Sequence, residues 1–118
     1  MMPESPAAAP AQPQGAAAYR RTLTPKQMEA EVFTRANRVL RGAEDAGPLA
    51  LARAIADNRR LWDAVHDVVV DPQNALPPAL RASIASIALA VLRECDSERP
   101  DLGFIAEINE SFAAGLWR

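Results

Sequence analysis

An all-α fold, a small four-helix bundle behind a disordered Ala/Pro-rich N-terminal tail, follows from three features of the sequence. Apolar residues recur at helical spacing in four separate stretches. Proline and glycine fall between those stretches, in "AEDAG" (43–47), "DPQNALPP" (71–78) and "DSERPD" (96–101). The connections are short, which favours antiparallel neighbours around one core.

Residues 1–18, "MMPESPAAAPAQPQGAAA", lack the large side chains that offset ordering entropy, and the folded domain is placed at 19–118. The first helix is expected over 24–42. Thr24 suits the N-cap, Pro25 the first helical position, Gln27 completes a capping box, and Leu23 and Met28 sit at staple spacing. Met28, Val32, Phe33, Ala36, Val39 and Leu40 give its period, and Gly42 is the expected stop. Pro48 opens a second helix, 48–70, whose row Leu51, Ile55, Asn58, Trp62, Val65 and Val69 carries one asparagine. The third helix, 77–95, has Leu80, Ile84, Ile87, Val91 and Cys95 on one side. Ala85, Ala88, Leu89 and Leu92 fill much of the rest, which predicts a central position. The fourth, 101–116, aligns Leu102, Ile105, Asn109, Phe112 and Leu116, again with one asparagine.

Composition narrows the function. The 118 residues are 49% hydrophobic and 24% charged, ordinary for a globular domain, with net charge −2. Such a balance makes no global case for nucleic acid or an anionic membrane. The longest strongly apolar stretch, "SIASIALAVL" (83–92), is far short of the roughly 20 residues a membrane span needs. The start has no basic n-region and no bulky apolar run, so a cytoplasmic protein is expected. One histidine, His66, and one cysteine, Cys95, offer no nucleophile–base pair, no metal set and no intramolecular disulfide. No phosphate-cradling glycine loop is present, so neither an enzyme nor a cofactor is expected. Six basic residues between Tyr19 and Gly42 (Arg20, Arg21, Lys26, Arg35, Arg38, Arg41) stand against Glu29 and Glu31, a local +4. No aromatic interleaving or RNA-binding motif accompanies them, so nucleic acid is disfavoured as a partner.

The stretch "DNRRLWDAV" (57–65) is the most unusual. It sets Asn58, Arg59 and Arg60 beside Leu61 and Trp62, in a chain with six aromatic residues. Asn58 needs a hydrogen-bond partner if buried, and a polar residue in a seam can fix helix register. The two arginines can lay their stems on apolar surface, and the Trp62 indole needs an acceptor. These five residues are the candidate partner-binding set. Leu61 is expected to share a shallow recess with Ala54 and Val68, seven residues away in each direction.

From Tyr19 onward the chain resembles the FlaF family of flagellar biosynthesis regulators. The resemblance rests on Tyr19, Glu29 and Glu31, on "NRRLW" (58–62), on "DPQNALPPALRASIASIALAVLR" (71–93) and on "IAEINESFAAGL" (105–116). Its most specific parts are "NRRLW" and the block Asp71, Pro72, Asn74, Leu76, Pro77, Leu80, Arg81. The Ala/Pro-rich start lies outside it. The resemblance implies a non-catalytic role in flagellin production. The expected form is a cytoplasmic chaperone that covers the terminal amphipathic helices of flagellin in an apolar groove. The alternative it implies is a post-transcriptional regulator acting with FlbT or on flagellin mRNA.

Overall fold

The computed structural model describes residues 25–115, with side chains described from Glu29 onward. The expected tail, the Thr24 cap, the Leu23–Met28 staple and Leu116 lie outside that range. The described residues form four helices: α1 Pro25–Ala46, α2 Pro48–Val70, α3 Pro78–Cys95 and α4 Leu102–Ala113. No strand occurs among the described residues. The valine run 68–70, for all its β propensity, completes α2, as the helical period on its N-terminal side predicts.

The expected apolar rows are the buried ones, with adjustments. In α2, Asn58, Trp62 and Val69 are buried, with Ala54 joining them and Leu51, Ile55 and Val65 half-buried. In α4, Ile105, Asn109 and Phe112 are buried. In α3, Ile84, Val91 and Cys95 are buried with Ala88, while Leu80 and Ile87 are half-buried. In α1 the row is Phe33, Asn37, Leu40 and Ala43, and Val32 and Val39 face outward.

Three expectations need correction. The inner helices are α1 and α2, and α3 lies at the outside. Helix α2 packs along both α1 and α3, and α4 lies against α1, while α3 and α4 barely touch. The surplus apolar side of α3 is mostly alanine, and its one large member, Leu89, is left 46% exposed. Placing the Trp62 ring at the centre removes far more apolar surface from water. Second, α1 does not stop at Gly42. Extension through good helix formers buries Ala43, and Gly42 stays helical and exposed. The reversal falls on Gly47 alone, at φ 106° and ψ 171°, a conformation essentially confined to glycine. Third, α4 closes at Ala113. The Ala114 amide donates to the Glu110 carbonyl and the Gly115 amide to that of Phe112, both at 3.0 Å, and Gly115 takes φ 74°.

The remaining helix ends are tied by side chains. Asp101 Oδ1 accepts from the Phe104 amide at 3.0 Å and caps α4. Glu94 Oε2 accepts from the Asp101 amide at 2.7 Å, which fixes the path from α3 to α4. Arg59 reaches from α2 to the same, C-terminal end of α3, with 2.6 Å to Asp96 Oδ1 and 3.3 Å to the Cys95 carbonyl. Its Nε is buried without a hydrogen-bond partner.

Burial separates the two isoleucines of α3. Ile84 is 3% exposed and Ile87 is half-buried. Ile84→Ala is expected to destabilise by about 2–5 kcal/mol, and Ile87→Ala by distinctly less. Urea midpoints at an unchanged denaturant slope provide the measurement; equal losses would contradict the packing.

Candidate partner-binding groove

The interior of the bundle holds a polar chain that sets the direction of every group in it. The Trp62 indole can only donate, so Asn109 turns Oδ1 toward it, at 2.9 Å. That leaves Asn109 Nδ2 to donate to Asn58 Oδ1 at 2.8 Å and to Asn37 Oδ1 at 3.4 Å. Asn58 Nδ2 in turn donates to the Ala54 carbonyl at 2.9 Å, one turn back on its own helix. Around this chain three rings pack. Trp62 and Phe112 meet edge to face with centroids 4.9 Å apart, and Phe33 lies 5.5 Å from Trp62 and 5.4 Å from Phe112. Helices α1, α2 and α4 each supply one ring and one asparagine.

The five candidate residues therefore divide. Asn58 and Trp62 are fully buried, with 0% exposure, so neither has surface to present to a partner. This corrects their place in the binding set: the amide and the indole satisfy one another through Asn109, and that pairing is stable only away from water. Arg59 belongs to the α2–α3 tie. Arg60 is exposed and pairs with Asp57 one turn earlier. Leu61 is half-buried and faces the groove described next.

One end of the bundle opens into an apolar groove of about 500 Å³. Helix α2 supplies Leu61, Ala64, Val65, Val68 and Val69, and α1 contributes Glu29, Val32 and Phe33. Ile84 and Phe112 close the deep side, and Asn74, Ala75 and Leu76 form the third wall. Glu29 is the one charged group among the described residues of this lining. Val68 is 58% exposed and Val32 is 47% exposed, so the rim is apolar as well. The recess expected around Leu61 and Val68 exists, but Ala54 is not in it. Seven residues rotate an α-helix by about 20° short of full turns, and at Ala54 that rotation points into the core.

The loop 71–77 builds the groove's third wall. Asp71 Oδ1 accepts from the Gln73 amide at 2.9 Å, and the Asn74 amide donates to the Asp71 carbonyl at 3.0 Å. Asn74 then works in both directions: Oδ1 accepts from the Leu76 amide at 2.9 Å, and Nδ2 donates to the Val68 carbonyl at 3.1 Å. Arg81 Nε donates to the Val69 carbonyl at 2.8 Å. Two of the orphan carbonyls at the end of α2 are thus satisfied by the loop and by α3, and Leu76 is held against the core.

Other chemistry is sparse. Among the described residues no group of three or more His, Cys, Asp or Glu could hold a metal ion. Cys95 is buried, and burial pushes its thiol pKa up, with nearby Arg59 acting in the opposite sense. Of the basic residues in α1, Arg35 pairs with Glu31 at 3.7 Å and Arg41 with Glu110 at 3.0 Å, which neutralises part of that face. No described helix is long and apolar enough to cross a membrane.

These features define a small all-α protein with an apolar groove at one end of the bundle. The chain belongs to the FlaF family: the family model described as flagellar protein FlaF matches residues 11–116. The match begins eight residues before Tyr19, so part of the Ala/Pro-rich start lies within it. No curated protein and no solved structure matches the chain. The protein is a flagellar protein of that family.

The geometry of the interior chain carries a stability test. Asn109→Ala removes the core partner of the Trp62 N–H and of Asn58 Oδ1, and the longer bond to Asn37 Oδ1. The expected loss is about 1–3 kcal/mol for each group left without a partner. Asn58→Ala in that background should add much less than it does alone, because the two side chains share one bond. A double-mutant cycle by chemical denaturation measures this; strict additivity would count against the network. Cys95 gives a second test. Its thiol should react with a disulfide reagent only on the timescale of opening of the fold, and fast labelling under native conditions would contradict its burial.

Proposed function

We propose that this FlaF-family protein is a flagellin-binding chaperone of the cytoplasm that promotes flagellin synthesis and secretion. In this reading an amphipathic terminal helix of flagellin lies in the groove between α1, α2 and the loop 71–77. The observation that supports it is the groove itself: apolar floor and rim, one charge, and no assembled catalytic group among its described residues. Helix-in-groove recognition needs an apolar stripe that accepts side chains at i, i+3 and i+4, and Leu61, Val65 and Val68 present apolar groups at that spacing. No enzymatic step and no cofactor is part of this proposal.

Val68 is the sharper probe of the groove, because it is more than half exposed, whereas Leu61 also packs on the core. Val68→Asp is expected to lower flagellin affinity at least tenfold, about 1.4 kcal/mol, with little change in melting temperature. Leu61→Asp should lower affinity comparably and stability as well. Pull-down and calorimetry with purified flagellin, with and without its C-terminal helix, read the effect. Wild-type binding by both variants would remove the groove from the proposal. Binding of flagellin mRNA that weakens steeply with salt, without flagellin binding, would instead support a post-transcriptional regulator acting with FlbT or on the message.

A further inference from the structure

Between α1 and α4 lies a polar slot of about 280 Å³. Helix α1 lines it with Thr34, Asn37, Arg38 and Arg41, at i, i+3, i+4 and i+7 along one side, and α4 adds Asn109 and Glu110. Val32 faces the apolar groove and Thr34 this slot, about 200° apart round the same helix. We propose that the slot is a carboxylate-binding site, which receives an aspartate or glutamate side chain of a protein partner against Asn37 Nδ2 and the Arg38 guanidinium.

The direction of the interior hydrogen bonds carries the first step. Trp62 can only donate, and it takes Asn109 Oδ1. Asn109 Nδ2 must then donate, to Asn58 Oδ1 and to Asn37 Oδ1. With its oxygen committed inward, Asn37 is left with its N–H₂ group, which makes no hydrogen bond among the described residues. Asn37 is only 6% exposed. Its free donor is not sealed in, however. Among the described residues Arg59 Nε is the one side-chain nitrogen or oxygen shut off from solvent without a partner, so Asn37 Nδ2 opens onto the slot that its side chain lines. A buried amide in that state gains from an acceptor and gains nothing from a donor or an apolar group.

Charge narrows the acceptor. Arg41 is held by Glu110 Oε2 at 3.0 Å, whereas Arg38 makes no ion pair and no hydrogen bond among the described residues. Two arginines against one glutamate leave the lining with one net positive charge. A single carboxylate neutralises it, and its two oxygens can be shared between the Asn37 amide and the planar guanidinium fork. A nucleic-acid strand is a poorer match, because Glu110 repels neighbouring phosphates and no aromatic ring lines the slot to stack a base. The volume falls below the range of about 300–1,000 Å³ that encloses whole small molecules, and suits a side chain reaching in from another surface.

Slot and groove share no lining residue. The inference therefore goes beyond the chaperone reading and does not depend on it.

The test follows the isotope-labelled full chain by NMR at constant ionic strength. The probes are acetate, inorganic phosphate and the end-blocked peptide acetyl-Ala-Ala-Glu-Ala-Ala-amide, with its Glu→Gln counterpart as control. Acetate and the glutamate peptide are expected to shift the Asn37 side-chain amide and the Arg38 Nε–H signals saturably, and the glutamine peptide to leave them in place. Arg38→Gln, at an exposed position, should weaken both carboxylate probes by about fivefold. Asn37→Asp keeps an oxygen for Asn109 Nδ2 and replaces the donor by a second carboxylate; it should abolish the Arg38 shifts while circular dichroism stays unchanged. Absence of a saturable shift with either carboxylate probe would overturn the proposal, as would undiminished binding by Arg38→Gln. Binding of acetate without the glutamate peptide would reject a protein side chain in favour of a free small acid. Phosphate bound more tightly than acetate would reject the carboxylate. None of these outcomes bears on flagellin in the groove, which Val68→Asp reads separately.

Discussion

The hydrogen bond from the Trp62 indole to Asn109 is the constraint from which the rest of the bundle follows. An indole N–H in a sealed core needs one acceptor, and a carboxamide that accepts from it must find acceptors for its own N–H₂ group. Asn58 and Asn37 provide them, at 2.8 Å and 3.4 Å, from α2 and α1. Sliding any of these three helices by one residue would turn an amide out of reach and leave a polar group buried and unpaired. An all-apolar interior would tolerate many registers; this one tolerates few. The register in turn fixes where Phe33 and Phe112 meet the Trp62 ring, and those two rings are also part of the groove lining.

Much of this was legible from residue spacing. Four helices, their order and the rows of α2 and α4, including the asparagines at 58 and 109, follow from period and punctuation. The asparagine of α1 is absent from the row expected for that helix, although the sequence carries a signal for it. Asn37 lies four residues after Phe33 and three before Leu40, the same spacing that places Asn109 between Ile105 and Phe112 in α4. Reading outward valines as part of the buried face concealed it. The outer position of α3 was also not legible, because counting apolar positions weighs an alanine like a tryptophan, whereas packing weighs them by area.

The groove was half legible. Leu61 and Val68 could be placed on one side of α2 from sequence, but a concavity depends on what is missing beside a helix as much as on what the helix carries. The third wall is made by Asn74, Ala75 and Leu76, held by side chain to backbone bonds from Asp71, Asn74 and Arg81. Those residues belong to the most distinctive block of the sequence. The block reads as a helix breaker, and its positions are explained by the need to close the end of α2 while leaving one face open. The second distinctive element, "NRRLW", serves three places at once: the core, the α2–α3 tie and the groove.

The single-residue connection at Gly47 has a consequence for which topologies the chain avoids. A helical hairpin joined so tightly has a near alternative, in which α1 and α2 fuse into one rod from Pro25 to Val70, about 70 Å long at 1.5 Å per residue, and two copies exchange helices. Pro48 stands against that alternative. Inside a continuous helix it would lack the amide that pairs with the Glu44 carbonyl and its ring would press on that turn, a penalty of about 3 kcal/mol. Gly47 makes the reversal accessible and Pro48 makes the rod unfavourable. The adjacent pair thus protects the hairpin from both directions, and a bulky residue at 47 would leave the chain with no comfortable conformation there, folded back or straight.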